Sequence, residues 1–478
     1  MKKFFCFYAA FLLIQSIHAQ EITGSWQGFI SVGNTSIRFV MNIKKTASGY
    51  ESTFDSPDQK AFGIQGSKTN LVADSILTEI QIMKAGYRGK WDGKDSITGT
   101  YQQSNRFTPL NMKRLNERDI PKPPPTVVRP QTPKEPFGYF AEEVIYKNAD
   151  QSIQYSAILT KPSQGEHFPT VILISGSGTQ DRDGTMFGHK TYAVLADLLT
   201  KQGIAVLRVD DRGAGKSTLG PNPLHLTSVD FGIDVANSIN YLISRPDIDK
   251  NKIGLVGHSE GGMIAPMVAV NNKSVAFLVL LAGPGQTGLD IWNFQMRRSF
   301  IKYNLNVSDQ LIAAELVNNM NLPFTKYTEL NAVQIEMKST YADWKKQYAD
   351  SIEKKLFITP IEPVFLAMAN QYTSGLYWLN YFLNYQPEKN LQQLKIPVLA
   401  LNGENDIQVS CVENLIAIEK ALKKGKNKHY KIQALPQLNH LFQTASSKVQ
   451  TYDTIDESFS PDAAKLIGNW ILHDATKK

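Results

Sequence analysis

Cysteine is almost absent from this sequence: two occur among 478 residues, Cys6 and Cys411. Cys6 lies inside a short N-terminal apolar run that reads as a removable leader, so one thiol remains in the mature chain. A single thiol forms neither an intramolecular disulfide nor a cysteine-based metal cluster, and the fold must rest on its apolar core. Nothing around Cys411 would activate it as a nucleophile, which leaves it the role of a small buried hydrophobe. Long apolar runs are also missing. The stretch 4–14 is too short to span a bilayer, so no stable membrane span is expected. Charge of one sign is not concentrated either: 51 Lys and Arg face 44 Asp and Glu. The only basic cluster, Lys423, Lys424, Lys426 and Lys428, reads as a solvated loop, which argues against a nucleic-acid partner. Internal repeats are absent.

The chain divides by composition into four segments. Residues 1–19 read as a secretory signal peptide: Lys2 and Lys3, the apolar run, then Ile17-His18-Ala19 with cleavage expected after Ala19. The implied location is outside the cytoplasm, periplasmic or extracellular. Residues 20–116 alternate apolar and polar positions between Gly, Asn and Asp punctuation, with strands expected at 37–43, 75–82, 87–91 and 96–101. This is a small all-β domain, a barrel or a sandwich, with Trp26 and Trp91 beside glycines as core fillers. Residues 117–138 carry Pro121, Pro123, Pro124, Pro125, Pro130, Pro133 and Pro136. Proline holds the chain extended and removes donors, so the segment is expected to space two domains without joining either core.

From 139 to 478, apolar strand-like runs alternate with amphipathic helical stretches. Strands are expected at 153–160, 170–174, 205–209, 253–256, 277–281, 398–402 and 430–435. Their continuous apolar character predicts burial on both faces, hence an α/β fold with a mainly parallel sheet between helices. Helices are expected at 191–202 and 228–245, the latter opened by Thr227 and Asp230 in capping-box spacing, and from Pro461 to Trp470 behind a Ser460 cap. The interval 288–395 breaks the alternation. It is helix-rich and reads as an inserted helical lid, with Trp292, Phe294, Trp344, Tyr377, Trp378, Tyr381 and Phe382 either lining an apolar pocket or packing its own core.

The strongest chemical signal is Gly257-His258-Ser259-Glu260-Gly261-Gly262, set between an expected strand and an expected helix. A serine in so sharp a turn holds its hydroxyl exposed, and the glycines are needed where side chains would collide with backbone. Serine requires a base, and the base requires an orienting acid. Both should follow later strands at the same sheet edge. Asp406, after the strand 398–402, is the expected acid, with Glu404 as the fallback. His440, after the strand 430–435, is the expected base, because His429 precedes that strand and His473 lies in the terminal helix. His258 is expected to pack or hydrogen-bond within the turn. The oxyanion donors are expected to be the Glu260 amide and an amide of the small-residue loop after strand 170–174, Ser177 first and then Gly178. Asp181-Arg182-Asp183 reads either as an ion-pair cluster beneath that loop or as a substrate contact. Gly215-Lys216-Ser217 imitates the end of a phosphate-binding loop, but Asp210 stands where its first glycine must be, so no nucleotide partner is expected.

These motifs, together with Ser175-Gly176-Ser177-Gly178, Asp211-Arg212-Gly213, Gly403-Glu404-Asn405-Asp406 and Asn439-His440-Leu441-Phe442-Gln443, resemble the α/β-hydrolase superfamily. Within it they resemble secreted bacterial carboxylesterases of the EstD type. The resemblance runs from about Tyr139 onward. It implies a Ser259, Asp406, His440 triad, no metal or other cofactor, and hydrolysis of small ester substrates of short to medium acyl length through an acyl-enzyme. Ser175 replaces the histidine of lipases that carry His-Gly-Gly-Gly. Two alternatives stand beside this reading: a serine peptidase of the prolyl-oligopeptidase type, for whose propeller the front region is too short, and a non-catalytic exported binding protein on a hydrolase scaffold.

Overall fold

The computed structural model describes residues 21–32, 35–59, 61–80, 85–103, 106–123 and 129–476. The expected signal peptide, the end of the strand expected at 75–82 and part of the proline-rich stretch lie outside them. The chain forms two compact units, Met1–Thr126 and Val127–Lys478.

The first unit is a β-barrel. Alternation sets its inside: along Ser75–Ile80, Ile76, Thr78 and Ile80 are buried while the residues between them are exposed. The short strand Met112–Arg114 pairs with both Gly24–Val32 and Ser96–Gln103, which closes the ring and decides between barrel and sandwich. Trp26, Met41, Phe54, Tyr87 and Ile97 fill the interior. Gly89 and Gly99 face each other across two strands. A Cβ on either would come within 2.6 Å of the Tyr87 hydroxyl oxygen, so both glycines make room for that ring. Trp26 is fully buried as expected. Trp91 is only partly buried and donates its Nε1 hydrogen to the Lys94 carbonyl at 3.0 Å.

The second unit is built on an eight-stranded sheet. Its strands are β1 (Phe140–Lys147), β2 (Gln154–Lys161), β3 (Phe168–Ile174), β4 (Ala205–Val209), β5 (Ile248–His258), β6 (Val275–Leu281), β7 (Val398–Gly403) and β8 (Tyr430–Leu435). The order is β1-β2-β4-β3-β5-β6-β7-β8. β2 pairs antiparallel with β1 and β4, and the remaining neighbours pair parallel. Period-two alternation sends the central residues to two different cores. Ile172, Leu255, Leu278 and Ala400 meet the helices α2 (Ser228–Ser244) and α3 (Gly261–Asn271) on one face. Val171, Val256, Val279 and Leu399 meet α1 (Thr191–Lys201) and the terminal helix Pro461–Trp470 on the other. Burial on both faces explains the continuous apolar runs.

Thr227 and Asp230 form a capping box at the start of α2, and Ser460 caps the terminal helix. β1 has no counterpart among the expected strands, because as an edge strand it buries only Val144 and Tyr146 among charged neighbours. Between β6 and β7 lies a helical insertion running from Gly288–Phe300 to Glu388–Leu391.

The proline-rich segment does not stay clear of both cores. Arg129 is buried, reaching Asp456 at 3.3 Å and the carbonyls of Phe187 and Asp453 at 3.1 and 2.8 Å. Gln131 accepts the Ser458 and Phe459 amides. Polar side chains that satisfy buried backbone groups anchor this stretch where proline removes backbone donors of its own.

Candidate active site

β5 ends at His258 and α3 begins at Gly261, leaving two residues to reverse the chain. Ser259 takes φ 55°, the left-handed region that side-chain-bearing residues rarely adopt. The neighbouring glycines make the turn feasible. A Cβ on Gly257 would lie 2.1 Å from the Gly261 oxygen, one on Gly261 2.3 Å from the Ile174 oxygen, and one on Gly262 2.6 Å from the Gly283 Cα. The glycine spacing is therefore a packing requirement of this turn.

Asp406 follows β7 and is buried. One carboxylate oxygen accepts the Gln408 and Val409 amides at 2.7 and 2.9 Å, and the other meets His440 Nδ1 at 2.8 Å. Backbone donors thus fix the carboxylate so that a single oxygen remains for the imidazole. Glu404 is exposed, as are His429 and His473. His440 and Ser259 border the same cavity, of roughly 290 Å³.

Glu260 and Ser177 border that cavity too, whereas Gly178 faces a neighbouring one. The Glu260 amide sits just ahead of the first turn of α3, where backbone N–H groups have no intrahelical acceptor. Its side chain is buried and accepts from Ser228 Oγ at 2.6 Å and from Trp378 Nε1 at 2.8 Å. Burial raises its pKa above the ordinary carboxylate range.

Two contributors had little signal in the sequence. Gly176 abuts Ser259: a Cβ there would lie 3.1 Å from Ser259 Cβ. Its amide donates to the Tyr192 hydroxyl at 3.2 Å, and that hydroxyl lies 3.2 Å from His258 Nδ1. A tyrosine at a helix start carries no motif, and only the packing of α1 brings it here. Trp292, Trp378 and Phe382 of the insertion border the cavity. Trp344 instead packs against Tyr348 at a tilt and edge-on to Phe357, Phe294 lies beneath Arg298, and the Tyr381 hydroxyl donates to Met267. Tyr377 is exposed, with its ring edge on His225.

Arg182 and Asp183 form ion pairs, Asp181 instead accepts the Asp183 and Thr185 amides, and none of the three borders either cavity. Arg182 binds Asp210, with Nη2 at 2.7 Å, and Asp183 pairs with Arg208 and Lys190. The Gly215 turn wraps the Asp210 carboxylate, which a Cβ would approach to 2.2 Å, so the apparent phosphate loop is filled by a side chain. Asp211 accepts from Ser175 Oγ at 2.8 Å and from the Gln180 amide at 2.8 Å. Burial dominates those bonds and pushes its pKa up to about 7. Cys411 is a buried free thiol, raised to about 11 by burial.

The arrangement places Ser259, a His440 imidazole held by a carboxylate, Ser177 and Glu260 around one cavity, a set of groups capable of acyl transfer. The chain is 28% identical to Esterase EstD of Thermotoga maritima over 166 residues, spanning 33% of this chain and only 39% of that relative. It is 23% identical over 251 residues to a proline iminopeptidase of Lactobacillus helveticus, spanning 51% of this chain and 76% of that one. Among solved structures it is similar to the esterase Pf2001 of Pyrococcus furiosus, at 16% identity, covering 74% of this chain and 97% of that one with a TM-score of 0.40. Residues 171–445, more than half of the chain, match the model of the alpha/beta hydrolase family, and the protein belongs to that family.

Proposed function

We propose that the protein is an exported bacterial serine carboxylesterase, periplasmic or extracellular, that cleaves small esters of short to medium acyl length. The observation that carries this is Ser259, held at positive φ in a strand-to-helix turn and sharing its cavity with a His440 that the buried Asp406 orients. Ser259 Oγ attacks the ester carbonyl carbon while His440 takes its proton. Asp406 holds the Nδ1 hydrogen and stabilises the imidazolium. The amides of Glu260 and Ser177 receive the oxyanion. Collapse breaks the ester bond, His440 protonates the leaving alkoxide, and an acyl-Ser259 remains. Water then attacks with His440 again as base and releases the acid. The helices between Gly288 and Leu391 serve as a lid whose Trp292, Trp378 and Phe382 give the site an apolar wall.

The similarity to proline iminopeptidase, over 76% of that protein, supports a second reading as a serine peptidase. The deciding experiment is hydrolysis of chromogenic esters and of one dipeptide amide by the mature protein and by Ser259→Ala. Ester turnover that falls by roughly 10⁴-fold or more in the variant, with negligible amide cleavage, is the expected result. Unchanged ester turnover in the variant overturns the nucleophile, and better cleavage of the amide selects the peptidase.

A further inference from the structure

Beside the cavity that holds Ser259 lies a second one of roughly 480 Å³, within the range of about 300–1,000 Å³ that ligand sites occupy. Its walls come from the ends of β3 and β4, the loop that leads into α2, α2 and α3 themselves and the helical insertion; Val209, Leu219, Leu226, Phe231, Val235 and Ile264 form an apolar side, and the charged groups Asp210, Asp211, Arg212 and Asp234 that also border it are each engaged by a partner of their own. The two cavities share Gly176, Ser177, Glu260, Tyr372 and Trp378. Two of these are bonded to one another, because the Glu260 carboxyl accepts from Trp378 Nε1 at 2.8 Å. A hydrogen-bonded partition therefore stands between the chamber of the chemistry and an apolar chamber behind it.

We propose that the second chamber is the acyl-chain subsite of the esterase and that Trp378 sets how long a chain passes into it. This rests on the esterase reading above. Direction follows from the chemistry. The leaving oxygen must sit beside His440, which protonates it, so the alcohol portion lies toward Leu441, Tyr452 and Gln408. Those residues border only the first cavity. The opposite side, across the oxyanion donors Ser177 and Glu260, is where the acyl substituent points, and the second chamber opens there. Trp378 is half-buried and its indole is the largest side chain of the partition. Removing it joins the two volumes, whereas filling the far chamber from Leu226 closes it again.

The test is the ratio of kcat/KM for p-nitrophenyl decanoate to that for the butyrate, with the leaving group held constant. It is measured in wild type, Trp378→Ala and Trp378→Ala/Leu226→Trp, with Trp378→Leu in place of the alanine variant if that fails to fold. An added methylene that reaches an apolar wall is worth roughly fourfold in rate, equivalent to about 0.8 kcal/mol. The expected result is at least a tenfold rise in the ratio for Trp378→Ala and its loss in the double variant. A ratio within twofold of wild type in folded variants that still hydrolyse the butyrate overturns the subsite alone. Butyrate turnover that survives Ser259→Ala overturns the esterase reading and the subsite with it.

Discussion

His258 Nε2 donates to the backbone carbonyl of His440 at 2.9 Å, so the residue before Ser259 pins the loop that carries His440. A carbonyl can only accept, which places the hydrogen on Nε2 and leaves Nδ1 to accept from Tyr192. Burial, assisted by the nearby His440, pushes the His258 pKa down to about 3, so this ring stays neutral across the working range. His258→Ala leaves a buried carbonyl and the Tyr192 hydroxyl without these partners. A loss of about 1–3 kcal/mol is expected, with a fall in kcat larger than the change in KM, read by urea unfolding and ester kinetics.

Asp406→Asn should preserve the fold and lower kcat by about 10⁴-fold. The asparagine oxygen can still take the Gln408 and Val409 amides. Its NH₂ then faces His440 Nδ1 and moves the imidazole hydrogen to Nε2, where a lone pair is needed to accept the serine proton. Single-turnover kinetics beside a melting curve would separate this from unfolding.

Asp211 makes stability depend on pH. Its folded pKa is raised to about 7 from an ordinary value of 3.8, so between these values the folded protein holds a proton that the unfolded chain has released. Stability contributed by this group is present below about pH 4 and is lost as pH rises through about 7, with a slope of at most about 1.4 kcal/mol per pH unit. Asp211→Asn should flatten that slope in denaturant titrations across pH 4–8. A slope identical to wild type would exclude Asp211 as its source.

Gly261→Ala puts a methyl 2.3 Å from the Ile174 carbonyl oxygen, and neither backbone segment can move without displacing the nucleophile. A loss of about 1–3 kcal/mol or more is expected, together with a reduced rate of Ser259 labelling by a fluorophosphonate.

Arg129→Ala removes the buried guanidinium that holds Asp456 and the Phe187 and Asp453 carbonyls. Tyr452, beside that anchor, borders the Ser259 cavity. The expected outcome is roughly 1.5–3 kcal/mol of destabilisation and a raised KM for esters, measured by thermal unfolding and steady-state kinetics.

Much of the site is legible in the sequence because its constraints are local. The turn around Ser259 needs glycines at Gly257, Gly261 and Gly262 for steric reasons confined to a few residues. Asp406 and His440 each follow an apolar strand, and strands in one sheet bring their ends to one edge. Gly178, by contrast, cannot be separated from Ser177 by composition. Both are small and adjacent, yet Ser177 reaches the Ser259 cavity as well as its neighbour, whereas Gly178 borders the neighbour alone. The β1 strand is not legible, because an edge position buries too few of its residues to leave a pattern.

By itself the sequence determined the strand-and-helix alternation, the capped helices and the order in which serine, acid and histidine arrive, because periodicity, caps and glycine spacing act over a few neighbouring residues. Tertiary structure alone decided that Met112–Arg114 closes a barrel, that Arg129 docks, that Tyr192 joins Gly176 to His258 and that Trp378 meets Glu260 across 118 positions of sequence. Those contacts link side chains far apart along the chain, and no local pattern encodes which distant partner will fill a given space.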